Sequence, residues 1–262
     1  MSFAEAARVE RTSSGRFTGE IQPGWDIMGN TDGGYLLAIA ARASAEAAGR
    51  PDPVSVTAHY LRPGTPGPVS IDTEIVKNGR RFSVVRSTLG RDAPIITTLG
   101  AYGILESSDA FERIDSTPPD LPPPDECITM EPTNTFPPPF MGKVEIRFDP
   151  SETLFATGAP SGRPHMKGWF RLRDDEPIDT TALLLAVDAF PPTVFNANLP
   201  IAWTPTLELT AHIRARPEPG WLRCNFTTRF ITGGFLEADG ELWDDSGQLV
   251  AQSRQLALIP QG

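Results

Sequence analysis

The sequence predicts an α+β fold made of two tandem repeats, in each of which one helix is cradled by a curled antiparallel sheet. In both halves a helical segment is followed by a series of strand-like runs. The segment VTAHYLRPGTPG at 56–67 also recurs loosely as LTAHIRARPEPG at 209–220. Chance similarity between amphipathic segments is the alternative, and the shared order of elements makes it the weaker explanation.

The first half predicts a long helix followed by an antiparallel meander. The helix extends from Tyr35 to Ala48, because the segment is rich in alanine and is followed by Gly49 and a proline. Asn30, Thr31 and Asp32 are the capping residues expected before it. The pair Asn78-Gly79 is a hairpin signal between two of the strands that follow. Alternating apolar residues predict strands at 16–22, 53–61, 69–77, 81–89 and 95–104.

A proline-rich segment separates the halves. Nine prolines lie between Pro118 and Pro139, with few apolar residues to anchor the chain. This composition predicts a linker that crosses the surface, and a proline-motif ligand for another protein is the less favoured alternative. The expected division is therefore an N-terminal unit at 1–105, a linker at 106–141 and a C-terminal unit at 142–262.

In the second half a shorter helix is predicted from Thr180 to Ala189. Asp179 is its expected N-cap, and Pro191 with Pro192 would end it. Strands are predicted on both sides of this helix, at 144–148, 166–173, 206–213, 222–231, 235–243 and 249–259.

Asp188 is the candidate functional residue of this helix. On a helical wheel it falls between Leu184 and Leu185, inside the apolar stripe. A carboxylate there is costly unless a polar group meets it, and burial would raise its pKa toward neutrality. The sequence therefore favours a carboxylate in a pocket, with an exposed aspartate at the helix end as the open alternative.

Composition excludes several classes of function. The 262 residues are 39% hydrophobic and carry a formal net charge of -10, which argues against a nucleic-acid partner. We find neither an apolar run of membrane-spanning length nor a signal-peptide pattern at the start. The only cysteines, Cys127 and Cys224, have neither a CxxC nor a metal-ligand spacing. A cytoplasmic protein without a metal site is the simplest interpretation.

Five motifs together resemble a known family. They are the Gly33-Gly34 pair opening the long helix, TAHYLRPG at 57–64, Asp188 in the second helix, Thr206 at the start of the next strand, and LVAQSRQ at 249–255. The chain resembles acyl-CoA thioesterases of the double-hotdog type and is similar to bacterial acyl-CoA thioesterase II. The resemblance implies a double hotdog fold, an acyl-CoA substrate and no cofactor. It also implies that Asp188, Thr206 and Gln255 hold the hydrolytic water.

The residues themselves leave the roles of two of these side chains open. Gln255 shares a strand face with small residues that leave room for a ligand, but an exposed strand glutamine is comparably compatible with the pattern. Thr206 shares its face with Glu208, Thr210 and His212, so a solvated outer face explains this polar row equally well. The histidines at 59, 165 and 212 have no serine or cysteine partner at a recognisable spacing, and His165 is expected in a loop.

Two further groups complete the predicted site. Backbone amides at a helix N-terminus can stabilise an oxyanion, so Gly33, Gly34 and Tyr35 are candidate substrate-binding residues, with the Gly34 and Tyr35 amides as donors. Tight helix packing is the alternative use of the glycines. Arg62, Arg80 and Arg81 flank turns and are candidate ligands for coenzyme A phosphates, or else solvated turn charges.

The predicted function is hydrolysis of a fatty acyl-CoA to a free fatty acid and coenzyme A. A non-catalytic acyl-chain or acyl-CoA binding protein with a degenerate site is the main alternative. An enoyl-CoA hydratase ranks lower, because no acid has a histidine in a matching position. Open sheet edges favour a homodimer or higher homo-oligomer.

Overall fold

The computed structural model describes residues 1–106, 111–133 and 136–261. Three α-helices are present in this part of the chain: α1 (Phe3–Ala6), α2 (Gly33–Ala48) and α3 (Ala182–Ala186). The strands of the first half are β1 (Val9–Ser13), β2 (Arg16–Ile21), β3 (Asp26–Ile27), β4 (Asn30–Thr31), β5 (Asp52–Tyr60), β6 (Gly67–Asn78), β7 (Ser83–Gly90) and β8 (Pro94–Gly103). Those of the second half are β9 (Val144–Phe148), β10 (His165–Leu172), β11 (Thr206–Ile213), β12 (Leu222–Thr227), β13 (Ile231–Thr232), β14 (Phe235–Trp243) and β15 (Leu249–Leu258).

One antiparallel sheet contains nearly all of these strands. Its order is β1-β2-β6-β7-β8-β5-β11-β15-β14-β12-β10-β9, and β13 pairs with β14. The two halves therefore meet where β5 pairs with β11, and each half contributes one side of the sheet. A large antiparallel sheet with few helices confirms the predicted α+β class.

The two copies of the repeated sequence motif lie next to each other at the centre of the sheet. Thr57 pairs with Thr210, and their hydroxyl oxygens are 2.9 Å apart. On either side, Val56 pairs with Ala211 and Ala58 pairs with Leu209. Because motif-equivalent residues face each other in an antiparallel pair, a local two-fold relation passes between the two threonines.

Helix α2 lies on one face of this sheet and is buried along most of its length. Tyr35, Leu37 and Ile39 are all fully buried, so the helix is apolar on more than one face, as expected for a central helix. It ends at Gly49, whose φ of 61° is left-handed. A Cβ on Gly34 would lie 2.9 Å from two carbonyl oxygens of α3, so this glycine permits close contact between the helices. The packing use considered for Gly34 from sequence is therefore present.

Two predicted elements of the second half differ in the structure. Helix α3 is five residues long, and its N-cap is Thr181 instead of the expected Asp179. Asp179 still contacts the helix start, where its Oδ1 accepts from the Ala182 amide at 2.7 Å. The chain then continues in single turns, and the Asp188 amide donates to the carbonyl of Leu185 at 3.1 Å. The strand predicted at 222–231 ends as β12 at Thr227, and β13 begins at Ile231. Between them the Arg229 and Phe230 amides donate to the side chain of Glu237 instead of to a neighbouring strand.

The proline-rich segment is attached to the second half. Of the predicted linker at 106–141, residues 107–110, 134 and 135 lie outside the described residues. Ile128 exchanges two backbone hydrogen bonds with Phe148 of β9, which fixes the segment at the sheet edge. Phe140 is 1% exposed and Met141 is buried beside it. The expectation of a surface spacer without apolar anchors was therefore wrong at its C-terminal end. We call residues 136–141 the strap.

Candidate active site

A pocket of about 300 Å³ opens between the two halves of the chain. Its walls come from the first turn of α2, the end of β5, the segment after α3, strands β11 and β15, and the strap. Most of the lining is apolar, which suits a hydrocarbon chain. The aromatic part of the lining consists of Tyr60, Phe136, Phe140, Phe190, Phe195, Trp203 and Phe226.

Asp188, Thr206 and Gln255 meet on one wall of this pocket. The Gln255 side-chain nitrogen Nε2 donates to Asp188 Oδ1 at 2.9 Å and to Thr206 Oγ1 at 2.6 Å. Both amide protons are thus used, and each of the other two residues supplies an acceptor. The Thr206 hydroxyl oxygen accepts here, so its own proton is free to be donated to a ligand in the pocket. The structure therefore brings together the three side chains that the sequence singled out, from three separate elements.

A β-bulge turns Thr206 toward the pocket. In the pairing of β11 with β15, Thr206 lies opposite Ala257 while Leu209 lies opposite Gln255, with a register shift between Thr206 and Glu208. Thr206 and Leu209 consequently share a face although they are three residues apart. Simple alternation placed Thr206 with Glu208 in an outer polar row, and the bulge overturns that alternative.

The glycine pair lets the Asp188 carboxylate approach the first turn of α2. A Cβ on Gly33 would lie 2.7 Å from Asp188 Oδ2, a distance that side chains essentially never adopt. The Gly34 amide donates to the carboxyl group of Asp188. Burial raises the pKa of Asp188 to about 7, while the Gly34 and Gln255 hydrogen bonds oppose this shift. A carboxyl with this pKa can exchange a proton near neutral pH.

Asp32 is a second carboxyl group in the pocket, which the sequence indicated only as a helix cap. Its Oδ1 accepts from the Tyr35 amide at 2.7 Å, and the side chain is 1% exposed. Its Oδ2 is buried and has no hydrogen-bond partner. Burial first, and then the nearby Asp188, raise the pKa of Asp32 well above its usual value. A helix-cap position followed by two glycines was the available signal.

The predicted oxyanion donors are already engaged. The Tyr35 amide donates to Asp32 Oδ1, so it has no second proton for a substrate and this part of the prediction does not hold. The Gly34 amide is directed at the carboxyl groups of Asp32 and Asp188. The Gly33 carbonyl accepts from the Tyr60 hydroxyl at 3.0 Å. The helix N-terminus therefore interacts with the acids of the pocket itself.

Two family models match most of the chain. The model described as the acyl-CoA thioesterase N-terminal domain matches residues 21–103, and the one described as the C-terminal domain matches residues 119–259. The chain belongs to the acyl-CoA thioesterase family.

Relatives of this acyl-CoA thioesterase family member cover nearly its whole length. An uncharacterized protein of Mycobacterium tuberculosis is 34% identical over 266 residues, which span 93% of this chain and 91% of the relative. A crystal structure of a proposed thioesterase II from Thermobifida fusca has a TM-score of 0.90 and 34% identity, covering 100% of this chain and 98% of that one. A hot dog fold protein of unknown function from Alicyclobacillus acidocaldarius has a TM-score of 0.84 at 22% identity, covering 99% and 98%. The last likeness supports the hot dog fold.

The three candidate phosphate-binding arginines of this thioesterase-family chain do not lie together. Arg62 lines the pocket, and its Nη1 donates to the carbonyl of Pro94 at 2.9 Å. Arg80 and Arg81 lie in the turn after β6, near the start of β5, whereas the pocket lies at its end. A nine-residue strand spans roughly 26 Å between its first and last residues. Of the three, only Arg62 borders the pocket.

The histidines also lie away from the three-residue cluster. His59 and His212 are exposed on the sheet. His165 begins β10 instead of lying in a loop, and its Nδ1 is 2.8 Å from Glu152 Oε1. The hydrogen bond to Glu152 raises the pKa of His165. None of the three lines the pocket, so the chemistry there rests on carboxyl, amide and hydroxyl groups.

Within residues 1–106, 111–133 and 136–261, none of the helices is long and apolar enough to cross a membrane. Within the same ranges, no group of three or more histidine, cysteine or acidic side chains is arranged to hold a metal ion.

Proposed function

We propose that this protein hydrolyses a fatty acyl-CoA thioester to a free fatty acid and coenzyme A, with a water molecule activated by Asp188, Thr206 and Gln255. The observation that carries the proposal is the pair of hydrogen bonds from Gln255 Nε2 to Asp188 Oδ1 and Thr206 Oγ1 on the wall of an apolar pocket. Membership of the acyl-CoA thioesterase family supports the class of substrate.

Each side chain of the cluster has a separate task in this mechanism. Asp188 accepts a proton from the water molecule as the water oxygen attacks the thioester carbonyl carbon. Gln255 holds the carboxylate in one orientation, and the Thr206 hydroxyl donates its proton to the water molecule and so positions it. The tetrahedral intermediate then collapses, the carbon–sulfur bond breaks, and the thiolate takes up the proton from Asp188.

The pKa of Asp188 sets the acid side of the pH profile. Since burial raises this pKa to about 7, the carboxyl is protonated and unable to accept a proton at lower pH. Activity should therefore rise through neutral pH and depend on a single ionisation on that side. Gln255 and the Gly34 amide keep the pKa from rising further.

The pocket accommodates both ends of the proposed substrate. The aromatic lining contacts the acyl chain, and the mouth beside Arg62 is the proposed path of the coenzyme A portion. Arg62 can meet a phosphate there as a charged donor. Arg80 and Arg81 are not part of this proposal, because they lie at the far end of β5.

Thiol release from a panel of acyl-CoAs of increasing chain length tests the proposal. The wild type should release thiol, Asp188→Ala should not, and Gln255→Ala should lower kcat by about 10²-fold. Gln252→Ala is the matched control: it lies on the same strand, but its side chain accepts from Arg214 outside the pocket. Binding of acyl-CoA without thiol release at any chain length would instead identify a non-catalytic acyl-CoA binding protein.

Several broader features belong to the same proposal. We propose a double hotdog, with repeats at 1–105 and 142–262 joined by residues 106–141. The pairing of Thr57 with Thr210 at the sheet centre supports this duplication. We also propose a cytoplasmic location, in keeping with two free, buried cysteines, and a homo-oligomer that covers the edge strands β1 and β9.

A further inference from the structure

Asp32 has the geometry of a functional group as well as that of a helix cap. One carboxyl oxygen satisfies the cap by accepting from the Tyr35 amide at 2.7 Å. The other oxygen, Oδ2, is buried without a partner, and the residue lines the same pocket as Asp188. A cap needs only one oxygen, and a buried polar atom without a partner is costly. The second oxygen is therefore available to a ligand in the pocket.

The charges around Asp32 favour its neutral form. Asp188 faces it across the glycine pair, and Tyr60 packs against Gly33. Burial first, and then the nearby carboxyl groups of Asp188, Asp32 and Glu208, raise the pKa of Tyr60. Among the described residues, neither Asp32 nor Asp188 has an arginine, lysine or histidine within ion-pair distance. Two carboxyl groups that share a buried site without a cation cannot both ionise cheaply. Asp32 is the more deeply buried of the two, and its Oδ2 has no donor to stabilise a negative charge.

We infer that Asp32 keeps its proton while Asp188 ionises, and that Asp32 Oδ2 donates this proton in a hydrogen bond to the carbonyl oxygen of the bound thioester. The inference rests on the proposed hydrolysis and adds a residue to it. The hydrogen bond strengthens as negative charge develops on that oxygen in the tetrahedral intermediate. The proton stays on Asp32 throughout. The proton taken from water goes to Asp188 and then to the leaving sulfur.

In this role Asp32 supplies the oxyanion donor that the amides at the helix N-terminus do not provide. The Tyr35 amide is directed at Asp32 and the Gly34 amide at the two carboxyl groups. A neutral carboxylic acid placed in an apolar site can serve as an oxyanion donor in their stead. Ionisation of Asp32 at high pH would remove the donor and place a second negative charge beside the oxyanion.

The pH profile separates the two acids. The wild type should show an acid limb from Asp188 and an alkaline limb from Asp32. Asp32→Asn keeps a donor but cannot ionise, so its alkaline limb should disappear while its acid limb stays. Asp32→Ala removes the donor and should lower kcat by about 10²-fold or more with a much smaller change in KM. An alkaline limb that persists in Asp32→Asn would overturn the inference.

Asp149→Asn provides the matched control. Asp149 is also a buried N-cap, whose Oδ1 accepts from the Ser151 amide at 2.9 Å, but it does not line the pocket. Its substitution should leave both limbs of the profile unchanged. The same change in profile for both variants would mean that Asp32 acts only through helix capping.

A spectroscopic test distinguishes failure of this inference from failure of the proposed hydrolysis. Acyl-CoA labelled with ¹³C at the thioester carbonyl is bound to Asp188→Asn, and the carbonyl stretch is recorded by infrared spectroscopy. It should be shifted to lower frequency than in free acyl-CoA, and adding Asp32→Ala should abolish the shift. Equal frequencies with and without Asp32 would refute the hydrogen bond. Absence of thiol release by the wild type would refute the hydrolysis, whatever the carbonyl stretch shows.

Discussion

Asp188→Asn should make the protein more resistant to unfolding at alkaline pH relative to the wild type. In the folded protein the pKa of Asp188 is raised from 3.8 to about 7 by burial. A raised carboxyl pKa stabilises the folded state below the unfolded pKa, and this stabilisation is lost as pH rises through the folded pKa. Asparagine has the same shape but does not ionise, so the variant does not lose this stabilisation as pH rises.

The magnitude follows from the pKa. Between about pH 5 and the folded pKa there are about two pH units, and each unit changes the free energy of unfolding by roughly 1.4 kcal/mol. Ionisation of Asp188 should therefore lower the wild-type free energy of unfolding by about 3 kcal/mol between pH 5 and pH 8. Other groups titrate in this range, but they do so in both proteins. The difference between wild type and Asp188→Asn isolates the one carboxyl.

Urea denaturation of both proteins at pH 5 and pH 8 measures this difference. From pH 5 to pH 8, the free energy of unfolding of Asp188→Asn should increase by about 3 kcal/mol relative to that of the wild type. If the difference between the two free energies of unfolding is the same at both pH values, the Asp188 carboxyl has an ordinary pKa. That result would refute the argument from burial on which both the acid limb and the role of Asp188 depend.

Two further variants test neighbouring parts of the structure. Gly33→Ala should lower kcat by about 10²-fold while the protein still folds, because the added Cβ would lie 2.7 Å from Asp188 Oδ2 and displace it. Gly19→Ala, where the new Cβ has its nearest neighbour at 3.4 Å, is the control for acyl-CoA turnover, and equal activity in the two variants would contradict the close approach. Glu152→Gln should lower the melting temperature most at acid pH, since the contact with Glu152 raises the pKa of His165 and its stabilisation is lost as pH rises. A deficit in melting temperature that is independent of pH would show that the histidine is neutral in the folded state.

Periodic patterns predicted most of the regular structure. Helix α2 and strands β9, β11 and β14 have nearly the expected bounds, because each combines alternation or helix propensity with clear end signals. The cluster of Asp188, Thr206 and Gln255 was also indicated by sequence, through its resemblance to a family. Its geometry could not be derived from periodicity, since the bulge at Thr206 reverses the face that alternation assigns.

Features that depend on long-range contacts were missed. Phe140 is buried with its ring beside that of Trp25, whereas proline content alone suggested a solvent-exposed spacer. Asp32 looked like an ordinary cap because the sequence does not show that Asp188 lies opposite it. In both cases the decisive neighbour is distant along the chain, where local propensity carries no information.

The strap is the last part of the segment that joins the two halves, and it also forms part of the pocket wall. Connecting segments tolerate changes in length and composition more readily than the sheet does. Substitution of Phe136, which lines the pocket and is only partly buried, would thus reshape the space proposed for an acyl group without disturbing the hydrogen-bonded strands. Specificity and folding would then be encoded in separate stretches of the gene, and selectivity could diverge among relatives while the scaffold stays the same.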